Sequence, residues 1–288
     1  MDERDAKQIV RDVIGTMYTL DDCAVVPCSD DLLVSTTDML HERTDFPPGI
    51  TDWQIGWMSA AVTLSDIAAM GARPGILLLA IGLDRGSRLR DILEGAKACC
   101  IAAGAVLAGG DLDSHHELTI VSSGIGFARQ GKVVRRYGSR PGDRICITSP
   151  LGRAQAALEG YIQYRQFLLQ PFPRVREGLA LAEAGVTSLM DISDGLVLSL
   201  YDLLDANSCG YSVISSLLPL LEGLDPQLSR EFSLYGGGDY ELLFTCPPER
   251  LPILGLEYWE IGNVIDDHEV LVDGNVAPYR GYLHRWEK

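Results

Sequence analysis

The stretch Leu64-Ser65-Asp66-Ile67-Ala68-Ala69-Met70-Gly71 places an aspartate among small and apolar residues. The capping-box pattern Thr51-Asp52-Trp53-Gln54 predicts that a helix begins ahead of this stretch, and Gly71 and Pro74 predict where the helix ends. Asp66 therefore lies inside an apolar helix, directly after a serine. Small neighbours let the backbone approach phosphate oxygens, and a carboxylate among them can hold hydrated Mg²⁺.

Four further acidic motifs lie on either side of this stretch: Leu20-Asp21-Asp22-Cys23-Ala24, Ser35-Thr36-Thr37-Asp38, Gly109-Gly110-Asp111 and Asp191-Ile192-Ser193-Asp194-Gly195. Carboxylates cannot cluster without compensation, because like charges raise each other's pKa. Divalent cations supply that compensation, and oxygen ligands favour Mg²⁺. No basic P-loop accompanies the motifs, so a shared site would bind phosphate through metal. Any one of these aspartates alone is more typical of a cap or a turn.

Composition limits the class of protein. The chain has 288 residues, of which 47% are hydrophobic, and this allows two compact domains or one large one. The turn Arg140-Pro141-Gly142-Asp143 is the candidate boundary, which gives domains over residues 1–139 and 140–288. The net charge of −16 argues against nucleic acid as the main partner, because binding to phosphate backbones depends on Lys and Arg.

The sequence also predicts a cytoplasmic protein. No run of about 18 uncharged apolar residues appears, so no membrane span is expected. The charged start, Met1-Asp2-Glu3-Arg4-Asp5, argues against a signal peptide. The seven cysteines form no CxxC pattern and are expected to be reduced thiols.

Hydrophobic periodicity predicts an α/β chain whose second half repeats the order of the first. Helices are expected over residues 3–15, 51–71, 87–103, 153–169, 174–183 and 195–207. Strands are expected over residues 32–36, 76–83, 105–108, 118–128, 133–136, 144–148, 187–190 and 242–245, with two short ones within 258–277. The strand over 105–108 is expected to be buried and to end in a turn at Gly109-Gly110-Asp111.

Other patterns give weaker indications. The Asp191–Gly195 motif stands at a strand-to-helix junction, where a helix N-terminus favours anions, although N-capping by Ser193 or Asp194 explains it equally well. Arg135 and Arg136 are candidate phosphate contacts, and on a strand only one of them would face the site. Adjacent His115 and His116 lack the spacing of a zinc site.

At these motifs the chain resembles the thiamine-monophosphate kinase family, within the superfamily that includes aminoimidazole ribonucleotide synthetase and selenophosphate synthetase. The most specific stretches are residues 64–74, 191–196 and Gly236-Gly237-Gly238-Asp239-Tyr240-Glu241-Leu242. The resemblance implies a two-domain α/β fold, with the N-terminal halves of two subunits pairing into a shared β-barrel and a C-terminal α/β layer beside it. It also implies ATP bound between the domains with several Mg²⁺ ions, and direct transfer of the γ-phosphoryl group to thiamine monophosphate.

The resemblance further implies roles for individual residues. The metal ligands would be Asp22, Thr37, Asp38, Asp66, Asp111, Asp191 and Asp194, and among them Asp66, Asp111 and Asp194 would be catalytic. The nucleotide contacts would be Thr36, Thr37, Gly110, Asp111, Arg136 and Ser193. The acceptor would contact Asp45, Gly238 and Tyr282.

Four positions depart from the family pattern. Leu20 replaces a glycine, Asp45 a histidine, Leu112 a threonine and Gly238 a glutamate. Asp45 and Gly238 lie on the acceptor side, so a kinase or ATP-dependent synthetase of the same fold with another small acceptor is the alternative, and a nucleotide-binding protein without catalysis is a third. Tyr282 or Trp286 could stack on an aromatic substrate or simply pack the C-terminus.

Overall fold

Two β-sheets organise the chain, which we describe from a computed structural model for residues 3–16 and 19–284. The first sheet has five strands in the order β1-β2-β5-β3-β4. Its strands are β1 (Ala24–Cys28), β2 (Asp31–His41), β3 (Arg73–Leu83), β4 (Val106–Ser114) and β5 (Thr119–Arg129). All neighbouring pairs are antiparallel except β3 and β4, which are parallel.

Three helices belong to the first half: α1 (Glu3–Ile14), α2 (Asp52–Ala69) and α3 (Leu89–Ala103). The predicted capping box of α2 is present, because Thr51 accepts a bond from the backbone N–H of Gln54 and the Gln54 side chain accepts one from the backbone N–H of Thr51. Gly56 and Gly95 let α2 and α3 cross closely. A Cβ on either would lie 1.8 Å from a carbonyl oxygen of the other helix.

The two faces of the first sheet differ. One face packs on α2, which is buried along most of its length because it also contacts α3 and the second half of the chain. The other face is open to solvent and carries apolar side chains, with Val26 39%, Met39 57% and Leu78 36% exposed. Strand β4 forms an exposed edge.

The second sheet has seven strands in the order β12-β11-β8-β10-β6-β9-β7. They are β6 (Arg144–Ile147), β7 (Ser188–Ile192), β8 (Gly210–Val213), β9 (Glu241–Cys246), β10 (Trp259–Ile265), β11 (Val270–Val272) and β12 (Asn275–Val276). Its helices are α4 (Arg153–Leu158), α5 (Arg165–Leu169), α6 (Val175–Ala184), α7 (Leu196–Ala206) and α8 (Pro226–Tyr235). Two apolar clusters, one around Leu200 and one around Phe244, form the core of this half.

Helix α2 joins the two halves. It contacts α6 and β7 as well as its own sheet. Gly178 on α6 permits the approach, since a Cβ there would lie 2.1 Å from the carbonyl oxygen of Ala68. The helix that carries Asp66 therefore lies against the strand that carries Asp191.

Several sequence-based expectations need correction. Strand β4 is not a short buried strand but a nine-residue exposed edge that runs through Gly109-Gly110-Asp111 without a turn. The helix expected over 153–169 is broken, because Gly160 adopts a φ of 94°, and residues 133–136 form no strand. Strands β1 and β8 and helix α8 were not predicted.

The mixed α/β two-sheet fold agrees with the prediction, whereas the five-stranded sheet of the described chain is open rather than closed into a barrel. The boundary at residues 139 and 140 stays a prediction, although one sheet lies wholly before it and the other wholly after it. Among the described residues, no helix has the length and apolarity needed to cross a membrane.

Candidate active site

Three of the predicted metal ligands meet where the two halves join. Asp22 precedes β1, Asp66 lies on α2, and Asp191 lies on β7. Each offers a carboxylate oxygen, and these oxygens lie within 4.8 Å of one another. Residues far apart in the sequence therefore form one acidic cluster, as the resemblance implied.

Hydroxyl groups hold these carboxylates in place. Thr36 donates to Asp66 Oδ2 at 2.6 Å, and Ser65 donates to Asp191 Oδ2 at 2.7 Å. A fourth carboxylate, Asp38, accepts from Thr63 at 2.6 Å. Ser65 thus links α2 to β7 across the junction between the halves.

Burial makes it unfavourable to ionise the carboxyl groups of the cluster. Burial, together with the charges of the neighbouring carboxylates, raises the pKa of Asp66 well above its usual range. Burial and the charge of Asp22 raise the pKa of Asp191 to about 8. Burial also raises the pKa of Asp22 and of Asp38. The folded chain has therefore gathered acidic groups that resist ionisation unless a cation joins them.

The residues of the cluster fit a divalent cation. Asp22 Oδ2 is buried and has no hydrogen-bond partner among the described residues. Such an atom is costly to leave unpaired, and a hard cation with oxygen ligands would satisfy it. The donor set is wholly carboxylate and hydroxyl oxygen, which suits Mg²⁺ better than a transition metal.

Arg136 is the one cation in direct contact with the acidic cluster in the described chain. It donates to Asp22 Oδ1 at 2.5 Å and lies 3.4 Å from Asp202. Arg135 instead pairs with Asp21 at 2.9 Å. Only one of the two arginines therefore contacts the cluster, although the strand on which that expectation was based is not present. Asp21 also accepts from the backbone N–H of Arg136 at 2.8 Å, which fixes this segment.

A cavity of about 620 Å³ opens beside the cluster. It is large enough for a small-molecule ligand. Eight predicted site residues line it: Asp38, Asp45, Asp66, Asp191, Ser193, Asp194, Gly238 and Tyr282. The predicted acceptor contacts and most of the predicted metal ligands therefore share one space.

The acceptor side of this cavity is built from loops. Asp45 accepts from the backbone N–H of His41 at 2.8 Å and from the Thr44 hydroxyl at 2.7 Å, so its carboxylate already closes a local turn. Tyr282 packs edge-on against His284. Tyr240, which also lines the cavity, has a φ of 52°, an unfavourable conformation for a residue with a side chain. Trp286 lies outside the described residues.

The Asp191–Gly195 motif connects the end of β7 to the loops on the acceptor side. The N-cap residue of α7 is Gly195, so neither Ser193 nor Asp194 occupies the N-cap position itself. Their carbonyl oxygens instead accept from Gly238 N at 2.6 Å and Tyr282 N at 3.0 Å. The motif thereby ties the acceptor loops to the end of β7.

Three predicted site residues are not brought to this cluster. Thr37 points away from α2 and bonds to Ser122 O and Ser123 Oγ, each at 3.0 Å. Gly110 and Asp111 lie on β4, three strands away from Asp38 on β2, or about 14 Å at the usual spacing of strands. Their roles stay predictions, and within one chain the fold does not bring them to Asp66.

Few sequence patterns point to the residues that support the cluster. Thr63 lies three residues before Asp66 on the same helix, a spacing that places the two on one side. Ser65 is adjacent to Asp66, and its bond to Asp191 has no signal in the local sequence. Asp202 lies on α7, the helix that follows the Asp191 motif. It could have been recognised as a partner of Arg136 only once the direction of the Arg136 side chain was known. Asp21, part of the Asp-Asp pair, binds arginine rather than the cluster.

The chain is similar in sequence to proteins of known function. Residues 20–128 match the family described as AIR synthase related protein, N-terminal domain. The thiamine-monophosphate kinase of Methanospirillum hungatei is 51% identical over 286 residues, which cover 99% of this chain and 100% of that protein. That of Halobacterium salinarum is 41% identical over 262 residues, 87% of each chain.

The fold is shared with a solved structure of this kind. AaThiL, solved in complex with AMPPCP and TMP, superposes with a TM-score of 0.91 at 27% identity. The match covers 99% of this chain and 97% of that one, so it includes both sheets and the junction between them.

Proposed function

The chain belongs to the thiamine-monophosphate kinase family, and from that premise we propose how its site works. The enzyme uses ATP to phosphorylate thiamine monophosphate, which gives thiamine diphosphate and ADP. The observation that carries this function is the single cavity in which the acidic cluster and the acceptor loops meet.

Asp22, Asp66 and Asp191 would hold Mg²⁺ at the junction of the halves. Bound Mg²⁺ would neutralise charge on the triphosphate and on the transferring phosphoryl group. Asp38 lies beside the cluster and Asp194 lines the same cavity, so both are suited to further metal contacts. Thr36 and Ser65 keep two of the carboxylates oriented before any ligand arrives.

Arg136 would exchange partners when the metal binds. Its guanidinium occupies Asp22 Oδ1, which would otherwise face a metal ion. A dication at Asp22 weakens the attraction of that carboxylate for Arg136. The side chain would then be available to the phosphates of the nucleotide, a contact for which arginine is well suited.

The acceptor would lie against Asp45, Gly238 and Tyr282. Tyr282 offers an aromatic ring for a planar heterocycle, and the absence of a side chain at Gly238 leaves room in the cavity. The Asp45 carboxylate attracts the cationic thiazolium, whereas the monophosphate has to lie towards the metal cluster and away from Asp45. The phosphate of the acceptor and that of ATP would then meet at the metal.

The open face of the first sheet would form a homodimer. Apolar Val26, Met39 and Leu78 are exposed there. Thr37 and Asp111 lie on the same face, because residues paired across neighbouring strands point to the same side of the sheet. A barrel made by two copies would cover this face and protect the β4 edge. Asp111 and Gly110 would then serve the site of the partner subunit.

Turnover with purified protein tests the function. ATP, Mg²⁺ and thiamine monophosphate should give thiamine diphosphate and ADP in equal amounts, with no product when Mg²⁺ is chelated. Pyridoxal phosphate, an aromatic monophosphate without the thiazolium, is the control acceptor and should give no diphosphate product. ATP binding without phosphorylation of thiamine monophosphate would contradict the proposal.

A further inference from the structure

A second cavity, of about 510 Å³, lies behind the acceptor loop. Gly238 and Tyr240 of this loop line the first cavity, whereas the alternate residues Asp239 and Glu241 line the second. One segment thus separates the two spaces. The second cavity contains none of the residues assigned to metal, nucleotide or acceptor.

Two arginines, Arg153 and Arg174, and two carboxylates, Asp239 and Glu241, are the charged residues that line this second cavity. Arg153 is only 8% exposed, and it pairs with Glu241 Oε1. Arg174 donates to the same oxygen at 2.5 Å. The other oxygen, Glu241 Oε2, accepts from Thr148 at 2.7 Å. Two guanidinium groups therefore share a carboxylate whose two oxygens are both already engaged.

The arginines keep unused donors. Arg153 Nε and Arg174 Nε are buried and have no hydrogen-bond partner among the described residues. Asp239 cannot supply an acceptor readily, because its oxygens accept from the backbone N–H groups of Gly152 and Ala154, at 2.5 and 3.1 Å. Buried donors of this kind are costly when left unpaired. The described residues therefore leave part of the hydrogen-bonding capacity of both guanidinium groups unused.

The rest of the wall is aromatic. Trp57, Phe167 and Phe172 line the cavity beside the arginines. The Arg153 guanidinium lies 4.1 Å from the centre of the Phe167 ring, and Trp57 Nε1 donates to Pro171 O at 2.7 Å, which fixes the indole. Phe167 and Phe172 are 39% and 47% exposed, so the aromatic wall extends to the surface.

We propose that this second cavity binds a small aromatic oxyanion, a carboxylate or phosphate carried on a planar ring. The planar guanidinium group of arginine can form two parallel hydrogen bonds to such an oxyanion, and the aromatic side chains of the wall can stack on its ring. The cavity volume suits a ligand of this size. The site is separate from the transfer reaction and does not depend on it.

A charge change at the cavity wall tests the proposal without disturbing the buried network. Gln166 lines the cavity and is exposed, so Gln166→Glu should leave the protein folded. Gln227→Glu, at an exposed position of α8 and outside both cavities, is the matched control. We expect 4-bromobenzoate or 4-bromophenyl phosphate to bind wild type and the control equally in calorimetry, and Gln166→Glu about fivefold more weakly or worse.

Crystals soaked with each probe locate the site. A bromine anomalous peak between the aromatic wall and the two arginines supports the proposal, and the probe that gives it distinguishes carboxylate from phosphate. The proposal is overturned by absence of binding for both probes, by equal affinity in all three proteins, by bromine in the first cavity alone, or by binding at crystal concentration only. Turnover of thiamine monophosphate by wild type, measured separately, is unaffected by any of these outcomes.

Discussion

Asp191 shows how strongly the fold acts on a single side chain. It is buried at the end of β7, faces Asp22 and Asp38, and accepts a bond from Ser65. The positive charge of Arg136 offsets only part of the effect of burial and of the neighbouring carboxylates. The pKa of Asp191 is therefore raised from an ordinary 3.8 to about 8. Without a metal ion, the folded protein therefore holds a proton at neutral pH that the unfolded chain releases.

The stability of the metal-free protein should fall as pH rises from about 5 to 8. In this window the folded state binds more protons than the unfolded state, because the pKa values of Asp191 and Asp66 are raised on folding. Each pH unit therefore lowers the free energy of unfolding. Mg²⁺ replaces the proton bound to the acidic cluster, so it should reduce this loss of stability as pH rises. Thermal unfolding from pH 5 to 8, with EDTA or with Mg²⁺, measures both effects, and a metal-free melting temperature that rises over this range would contradict the assignment.

Asp66→Asn should separate stability from activity. The amide does not titrate, so the fall in the metal-free melting temperature between pH 5 and 8 should be smaller than in wild type. The gain in melting temperature from Mg²⁺ with ATP should also shrink. Turnover should fall about 100-fold or more, since the neutral amide is a poor ligand for Mg²⁺. Asp267→Asn, at an exposed loop position, is the control. Near-normal turnover in Asp66→Asn would remove this residue from the metal site.

Among the secondary-structure elements, local sequence patterns predicted helix boundaries well where one face of the helix packs against many neighbours. Helix α2 begins and ends close to its predicted limits because Thr51 and Gln54 cap it and Gly71 ends it. Strand β4 was misjudged because Ala105–Ala108 reads as a buried apolar run, although its exposure depends on which strands are adjacent. Position at the edge of a sheet is a property of topology that no local pattern reports.

The two glycines of β4 should differ sharply when replaced. A Cβ on Gly110 would lie 1.7 Å from the carbonyl oxygen of Leu79, whereas a Cβ on Gly109 meets nothing within 4 Å. Both have positive φ, so each alanine costs about 1 kcal/mol in strain. Gly110→Ala should cost at least about 3 kcal/mol, because β4 must separate from β3. Urea unfolding of both variants compares them, and equal stability would show that β4 lies elsewhere.

For the whole molecule, the sequence predicted a set of acidic residues for one site, and the fold brings only some of them together. Asp22, Asp66 and Asp191 were chosen from motifs, and the fold brings them together. Thr37 and Asp111 came from equally plausible motifs and lie on the open face of the first sheet. The side of a sheet on which a residue lies follows from the register of the strands and from the elements packed against the sheet, and no local motif reports either.

Subunit mixing tests whether Asp111 acts in the partner's site. Asp66→Asn and Asp111→Asn should each be nearly inactive as homodimers. If Asp111 serves the partner, a mixed dimer keeps one site with both aspartates intact, and random reassociation should restore about a quarter of wild-type turnover. If both aspartates act within one chain, every site in the mixture is damaged. Recovery is measured after unfolding and refolding the mixture, with each variant refolded alone as the control.

The central claim is that aspartates from both halves of the chain share metal ions that bind the triphosphate. A crystal grown with Mn²⁺, AMPPCP and thiamine monophosphate tests it most directly, because manganese gives an anomalous signal. We predict peaks within about 2.2 Å of carboxylate oxygens of Asp22, Asp66 and Asp191, with the nucleotide phosphates on the same ions. Nucleotide bound in the cavity with no manganese at these three carboxylates would contradict the account.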